Sequence, residues 1–219
     1  MTGFMFKSKV TTGAPTICYF RRNSAASTLA AEDVETLDFS KFDMIHLTGI
    51  TPALSASARA ASEILNEKSR KAGCFFSFDP NLRPELWPSQ AEMAAYLNSI
   101  AYRSDLFLSG IKEASLLIGA EAPEKIAAHY ISRGTKAVVV KLGTRGAYYA
   151  CEDGASGYVD GFRVERVVDT VGAGDGFAAG VLSALREGQT FSQAVRRGCA
   201  VGAIQVMSRG DNDGLLSRG

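Results

Sequence analysis

The chain of 219 residues carries 24 Lys and Arg residues against 23 Asp and Glu residues, so its formal net charge is +1. Hydrophobic residues make up 46% and charged residues 21%, which excludes an intrinsically disordered chain and is typical of a globular domain, alone or with a small appendage. The near-neutral charge gives no reason to expect a nucleic-acid or membrane-surface partner.

The cysteines are widely spaced and form no CxxC pair, which fits neither a zinc site nor a disulfide framework. They are Cys18, Cys74, Cys151 and Cys199. We expect reduced, mostly buried thiols in a cytoplasmic protein. No run approaches the roughly 18 apolar residues of a membrane span, and the N-terminal residues lack the apolar core of a signal peptide.

In chain order, the first 20 residues predict two paired strands, around Phe4 and Phe6 and over residues 16–20, with a turn at Thr12 and Gly13. From residue 43 onward, short apolar runs alternate with segments of helical periodicity, which predicts βαβ units and a parallel sheet. Strands are expected at 44–47, 74–78, 105–108 and 137–141, with helices over 55–72, 90–102, 113–118 and 123–133. Two shorter antiparallel strands, at 146–150 and 157–159, and two long helices, near 174–187 and 191–208, complete the prediction.

The most informative segment is a glycine-rich turn that leads directly into an apolar helix, over residues 168–180. Gly172 and Gly174 permit positive φ angles and a close approach of the backbone to a ligand. The N–H groups at a helix start point outward and the helix dipole favours negative charge there, so the turn is a predicted anion cradle. Asp175 follows in the first helical turn, either as a simple cap or as a base that acts on a hydroxyl beside a bound phosphate.

Two other glycine motifs do not match this segment. A P-loop requires GxxxxGK[ST], which the chain lacks. A Rossmann fingerprint requires a third Gly or Ala in register, where Phe177 stands, and it lies early in its sheet rather than late. The glycine pattern therefore disfavours a dinucleotide-binding dehydrogenase.

The residues from Asp169 to Asp175, with Phe177 and Gly180, resemble the C-terminal signature of ribokinase-like (PfkB-type) carbohydrate kinases. The resemblance implies an α/β fold with a doubly wound, mostly parallel sheet, helices on both faces and a small β-sheet lid. Residues 1–30 would form part of the lid and residues 31–219 the kinase core.

The resemblance also assigns the phosphoryl-transfer chemistry. It implies ATP as the phosphoryl donor and Asp175 as the catalytic base. The backbone N–H groups of Gly172, Ala173 and Gly174 would stabilise the charge of the transferring phosphoryl group.

A second set of residues is similar to the 2-keto-3-deoxygluconate kinases of this family. Tyr19, Phe20 and Arg21 before a Ser-Ala-Ala run resemble their lid strand, and residues 79–83 before Leu86 and Trp87 resemble a strand-end motif. The resemblance implies a small sugar acid as the substrate, bound by Tyr19, Arg21, Arg83 and Asp211. Both arginines can offer bidentate hydrogen bonds to a carboxylate.

For the nucleotide, residues 140–147 resemble the strand and turn beside ATP, and residues 198–205 the helix beside the adenine. The implied contacts are Lys141, Gly143, Gly146, Cys199 and Ala203, although Cys199 stands where an Asn is common. Glu113 is the implied Mg²⁺ residue, acting through water, and Gly110 stands where the family usually has an Asn.

Relative to the family, the chain lacks the N-terminal strands with their Gly-Gly segment and the closing helix, so we expect a truncated kinase. Three functions stay open: a 2-keto-3-deoxygluconate kinase, a fructokinase or ribokinase type, and a non-catalytic remnant that binds nucleotide or a partner. Lid strands in this family pair between subunits, which implies a homodimer.

Overall fold

A computed structural model describes residues 1–8, 17–208, 210 and 214 of the chain. The chain divides into two compact units, Met1–Arg103 and Ser104–Gly219. The larger sheet has six strands in chain order, with parallel and antiparallel pairs, and the smaller sheet is a two-stranded antiparallel ribbon. The predicted α/β class with a small accessory sheet is confirmed, and the boundary at residue 30 stays a prediction.

The first unit begins with the small sheet, formed by β1 (Phe4–Lys7) and β2 (Ile17–Phe20). Three phenylalanine rings share one face of this sheet because they alternate along the strands. The rings of Phe4 and Phe20 stack with their centroids 4.8 Å apart, and the ring of Phe6 meets both edge-on. The predicted turn at residues 12 and 13 lies outside the described residues.

The rest of the first unit alternates strands with helices. Its elements are α1 (Ala31–Glu35), β3 (Met44–Thr48), α2 (Ile50–Leu54), α3 (Ala56–Lys71), β4 (Phe75–Asp79) and α4 (Gln90–Ala101). Strands β3 and β4 are parallel, as predicted. Ser55 and Ser89 begin the two long helices, since each hydroxyl accepts a backbone N–H from the first turn.

The second unit continues the pattern and ends in two long helices. Its elements are β5 (Leu106–Gly110), α5 (Ile111–Ile118), α6 (Pro123–Ile131), β6 (Ala137–Lys141), β7 (Ala147–Cys151), β8 (Ser156–Val159), α7 (Ala173–Arg186) and α8 (Phe191–Gln205). Strands β5 and β6 are parallel, whereas β7 and β8 add antiparallel strands, as the sequence predicts. The continuous apolar runs of β5 and β6 are fully buried, which is typical of strands covered on both faces.

Two short helices were not predicted. Helix α1 has five residues, and α2 starts directly after Gly49 with Pro52 in its first turn, where a missing N–H costs nothing. Segments this short carry too little periodicity to be recognised. Among the described residues, no helix is both long and apolar enough to cross a membrane.

Candidate active site

Helix α7 starts from a turn that exposes its first N–H groups. Gly172 precedes the helix with φ +77°, a conformation that favours glycine, and its carbonyl accepts the first helical hydrogen bond from Gly176 N–H at 2.8 Å. Asp169 Oδ1 accepts the N–H of Val171 at 3.0 Å and holds the preceding turn. The Ala173 N–H donates to Thr170 O at 3.4 Å, and the N–H groups of Gly174 and Asp175 precede the first helical hydrogen bond, so they are available for the predicted anion cradle.

An ammonium group lies beside this helix start. Lys141 ends strand β6, and its Nζ lies 3.9 Å from the position that a Cβ would take on Gly174. It also lies 3.9 Å from Glu113 Oε2, which accepts the N–H of Gly110 at 2.7 Å. The dipole of α7 and the charge of Lys141 thus converge on one point.

The turn after β6 passes close to the segment that follows β8. Gly146 has φ +95°, and a Cβ there would lie 2.0 Å from the carbonyl oxygen of Val159. A Cβ on Gly161 would meet Thr144 O at 2.4 Å. Both positions therefore require glycine. The close approach of the turn after β6 to the segment after β8 forms one wall of the adjoining cavity.

A cavity of about 350 Å³ joins these features. Its walls include all five predicted nucleotide contacts, together with two residues of the α7 start. These residues are Lys141, Gly143, Gly146, Ala173, Gly174, Cys199 and Ala203. Gly172 and Asp175 are not among the lining residues.

Apolar side chains that the sequence analysis did not assign to the nucleotide complete the cavity walls. They include Phe162, Val164, Val167, Phe177 and Val206. The first three come from the loop between β8 and α7, in which Arg163, Glu165 and Arg166 are exposed. Apolar residues at 162, 164 and 167 between charged neighbours are the signal that could have identified this wall, although Phe162 and Val167 stay 42% and 54% exposed.

Cys199 lies in the apolar part of the cavity wall. Its side chain is 7% exposed, and burial raises the pKa of its thiol to about 11. The thiol is therefore neutral near pH 7. The apolar lining residues suit an uncharged ring, whereas the Lys141 ammonium and the start of α7 suit an anion.

Asp175 occupies the third position of α7, and its residue is exposed. Its carboxylate is therefore accessible to a substrate next to the anion cradle. The position is compatible with both of the roles that the sequence leaves open, because a first-turn carboxylate also stabilises a helix start.

In the first unit, two guanidinium groups flank one tyrosine ring. The guanidinium carbon of Arg21 lies 3.8 Å from the ring centroid of Tyr19, and that of Arg83 lies 5.8 Å from the same centroid. Tyr19 and Arg21 also line a cavity of about 640 Å³, of which Arg83 is not a lining residue. The structure thus brings three of the four predicted substrate residues together, and the fourth, Asp211, lies outside the described residues.

The loop after β4 holds Arg83 in place. Asn81, with φ +33°, donates its N–H to Asp79 Oδ1 at 3.0 Å. Arg83 Nη1 donates to Asn81 Oδ1 at 2.8 Å and to Leu82 O at 2.7 Å. Arg83 Nε is a buried N–H donor with no hydrogen-bond partner within the described part of the chain. Such a donor favours a site that receives an oxygen-bearing ligand.

The arrangement of Glu113 does not fit a dedicated magnesium site. One of its carboxylate oxygens already accepts the Gly110 N–H and faces the Lys141 ammonium. No group of three or more His, Cys, Asp or Glu residues that could hold a metal ion occurs in the described ranges. The predicted magnesium role of Glu113 therefore stays a prediction without support from neighbouring ligands.

Comparison with known proteins identifies the family. The model of the pfkB family carbohydrate kinases matches residues 2–218. A 2-dehydro-3-deoxygluconokinase of Bacillus subtilis (strain 168) is 48% identical over 99% of this chain and 67% of its own length. The chain belongs to the pfkB family of carbohydrate kinases.

Solved structures agree with this assignment. A PfkB protein from Polaromonas sp. JS666 has 44% sequence identity and a TM-score of 0.84 over 92% of this chain and 66% of its own. A fructokinase from Vibrio cholerae O395, bound to fructose, ADP and calcium, has 26% identity and a TM-score of 0.82 over 91% and 65%. The predicted ribokinase-like fold is confirmed, and the chain spans about two thirds of the length of these relatives.

Proposed function

We propose that this chain supplies the catalytic and binding groups of an ATP-dependent kinase that phosphorylates a hydroxyl of a sugar acid, with 2-keto-3-deoxygluconate as the substrate. The observation that carries the proposal is that the α7 start and the Lys141 ammonium lie together in the wall of a cavity whose other lining residues are mostly apolar. A nucleotide likewise combines an uncharged ring with anionic phosphates. The relative from Bacillus subtilis supports the choice of substrate.

In the proposed reaction, the Asp175 carboxylate accepts the proton of the substrate hydroxyl. The electron pair of that oxygen forms a bond to the γ-phosphorus while the bond to the bridging β–γ oxygen breaks, and ADP leaves with that electron pair. The N–H groups at the start of α7 and the Lys141 ammonium stabilise the negative charge on the transferring group. No step is assigned to a metal ion, and the described residues include no group of three or more His, Cys, Asp or Glu residues that could hold one.

The acid end of the sugar is assigned to Arg21 and Arg83. Two guanidinium groups beside one ring repel each other unless an anion lies nearby, so their placement around Tyr19 favours a negatively charged ligand. A carboxylate accepts two parallel, charge-assisted hydrogen bonds from an arginine, whereas the hydroxyls of a neutral sugar offer no charge to it. The arginines would therefore distinguish a sugar acid from fructose or ribose.

Asp175→Asn tests the catalytic assignment. We expect this variant to lose roughly 10²- to 10⁴-fold in kcat, because the amide cannot accept the hydroxyl proton. ATP binding, measured by isothermal titration calorimetry, should stay within about threefold, a change of less than 1 kcal/mol. Asp160→Asn, at an exposed position after β8, is the matched control. Retained turnover in Asp175→Asn would remove the base role, and a wild-type chain without any turnover would favour the non-catalytic remnant.

Arg83→Met tests the assigned substrate class. The loss of a charge-assisted hydrogen bond should raise the KM for 2-keto-3-deoxygluconate roughly 10- to 100-fold. Turnover of fructose, where detectable, should be unaffected. Arg70→Met, an exposed change in the last turn of α3, is the control. Equal losses with the acid and with fructose would contradict the role, and efficient turnover of only fructose or ribose would replace the substrate assignment.

The proposal of a homodimer through the small sheet rests on its exposed aromatic face. Phe4, Phe6 and Phe20 are 51%, 64% and 49% exposed. Burial of such rings supports association. Phe6→Ser should shift the molar mass measured by light scattering from that of a dimer to that of a monomer, and an unchanged mass would contradict this interface.

A further inference from the structure

The ammonium of Lys141 occupies a position that is unfavourable in the absence of an anion. Its Nζ lies next to Gly174, in the first turn of α7, where the helix carries its positive pole. The Lys141 side chain is 20% exposed, so solvent screens this repulsion only in part. Its long, flexible stem would allow the ammonium to swing away from the helix. Some other group must hold it there.

Among the described residues, Glu113 is one group that faces it. Its Oε2 lies 3.9 Å from Lys141 Nζ, and the Glu113 side chain is 23% exposed. The same oxygen accepts the Gly110 N–H at 2.7 Å, which locks the carboxylate at the start of α5. A fixed carboxylate thus holds a mobile ammonium at the end of β6.

A purely structural role for Glu113 explains only part of this arrangement. A capping box requires the hydrogen bond to Gly110, but it requires no lysine. The 3.9 Å between Lys141 Nζ and Glu113 Oε2 is too long for a hydrogen bond, so the pair on its own contributes little to stability. The pair instead determines the position of the Lys141 ammonium, and Lys141 lines the cavity.

We propose that Glu113 is a positioning residue that acts through Lys141: it holds the ammonium beside the start of α7, where the terminal phosphates of the nucleotide would bind. The inference rests on the proposed function, because it concerns the phosphate end of the same site. It differs from the magnesium role that the family resemblance implies, in which Glu113 acts on a metal ion through water.

The two roles are separated by a double-mutant cycle on ATP affinity, measured by calorimetry in the presence of EDTA. Glu113→Gln keeps an oxygen that can accept the Gly110 N–H but removes the charge. Lys141→Met removes the ammonium and keeps most of the apolar stem. In EDTA no divalent ion is available, so a residue that acts only on the metal has no effect on the measured affinity.

We expect Lys141→Met to weaken ATP binding roughly 10- to 100-fold, the loss of one charge-assisted contact. Glu113→Gln should weaken it about three- to fivefold. In the Lys141→Met background, Glu113→Gln should have no further effect, because the group through which it acts is gone. The same non-additivity should appear in kcat for the active enzyme.

The matched control is the other lysine–carboxylate pair of β6. Lys136 precedes the strand, and its Nζ lies 2.6 Å from Asp105 Oδ1. Lys136→Met removes the same kind of pair from the opposite end of the strand and should leave ATP affinity unchanged. A melting temperature for each variant shows that it is folded.

Three results would overturn the inference. One is additive losses of Glu113→Gln and Lys141→Met, and another is unchanged ATP affinity in Glu113→Gln. The third is tighter binding by Glu113→Gln, which the simple removal of a negative charge near an anion would give. A wild-type chain that does not bind ATP would instead overturn the proposed function, and the inference with it.

Discussion

Burial of the Cys199 thiol makes the stability of the folded chain depend on pH. Burial raises its pKa to about 11 in the folded chain, and the same cause raises the pKa of Cys151 to about 11. In the unfolded chain a thiol ionises near its ordinary pKa of about 8.5. Between these values the unfolded chain loses the proton and the folded chain keeps it. The free energy of unfolding therefore falls as the pH rises through this range, and it is unaffected well below pH 8.

We predict that Cys199→Ala has a shallower alkaline slope than the wild type. Each such thiol contributes at most about 1.4 kcal/mol of lost stability per pH unit, so removing one should reduce the slope by up to that amount. Urea unfolding at several values between pH 8 and 10.5 measures the slope, and Cys18→Ala, at an exposed position, is the control. Parallel slopes for Cys199→Ala and the wild type would contradict the prediction, whatever the offset between them.

At the scale of elements, the packing of α7 against α8 depends on two glycines. A Cβ on Gly180 would lie 2.8 Å from Gly198 Cα, and a Cβ on Gly198 would lie 2.6 Å from a methyl group of Val181. The helix backbones can approach this closely only without side chains at these positions. Because both helices also line the cavity, their spacing sets its width.

Gly180→Ala should therefore destabilise the chain, although alanine normally favours a helix by about 1 kcal/mol over glycine. We expect overpacking to cost about 1–3 kcal/mol and to weaken ATP binding by shifting the cavity wall. Gly188→Ala, just beyond α7, meets no atom within 4 Å and should cost only the strain of its φ of +75°, with ATP binding retained. Denaturant unfolding and calorimetry measure both quantities. A Gly180→Ala chain as stable as the wild type would show that the helices can separate without cost.

The elements that the sequence predicted are those with strong local signals. Helix α3 begins after the cap at Ser55 and ends before Gly73, whose φ of +74° suits a helix end, as its pattern indicates. Strand β6 is predicted exactly because its residues form one unbroken apolar run bounded by charge. The short helices α1 and α2 were missed because five residues do not establish a period.

The candidate site likewise has parts with a local sequence signal and parts without one. The predicted anion cradle at Gly172 and the predicted nucleotide contact Lys141 come from sequence motifs, which reflect the backbone conformation that ligand binding requires. The apolar wall at Phe162 and Val164 was missed, since it consists of ordinary side chains in a loop without a motif. The pairing of Glu113 with Lys141 could not be predicted either, because it depends on how α5 and β6 lie in space.

At the scale of the whole molecule, nucleotide binding should appear as resistance to unfolding. A ligand that binds only the folded chain, at a concentration of 100 times its Kd, adds about 2.7 kcal/mol to the free energy of unfolding. For a chain of this size, that corresponds to a rise in Tm of roughly 5–10 °C. Filling the cavity of about 350 Å³ offers a direct way to abolish this rise in Tm.

Ala203→Trp places a large ring in the apolar part of the cavity, where Ala203 forms part of the wall. We expect this variant to keep the Tm of the ligand-free wild type within about 4 °C, a change of about 1–2 kcal/mol, because the ring enters existing space, and to lose the rise with ATP. Ala179→Trp, at an exposed position on α7, is the matched control and should retain the full rise. Equal ATP-dependent shifts in Ala203→Trp and Ala179→Trp would show that ATP binds elsewhere. A lost shift in Ala203→Trp alone would assign the nucleotide to this cavity, because the two variants differ only in where the same ring is placed.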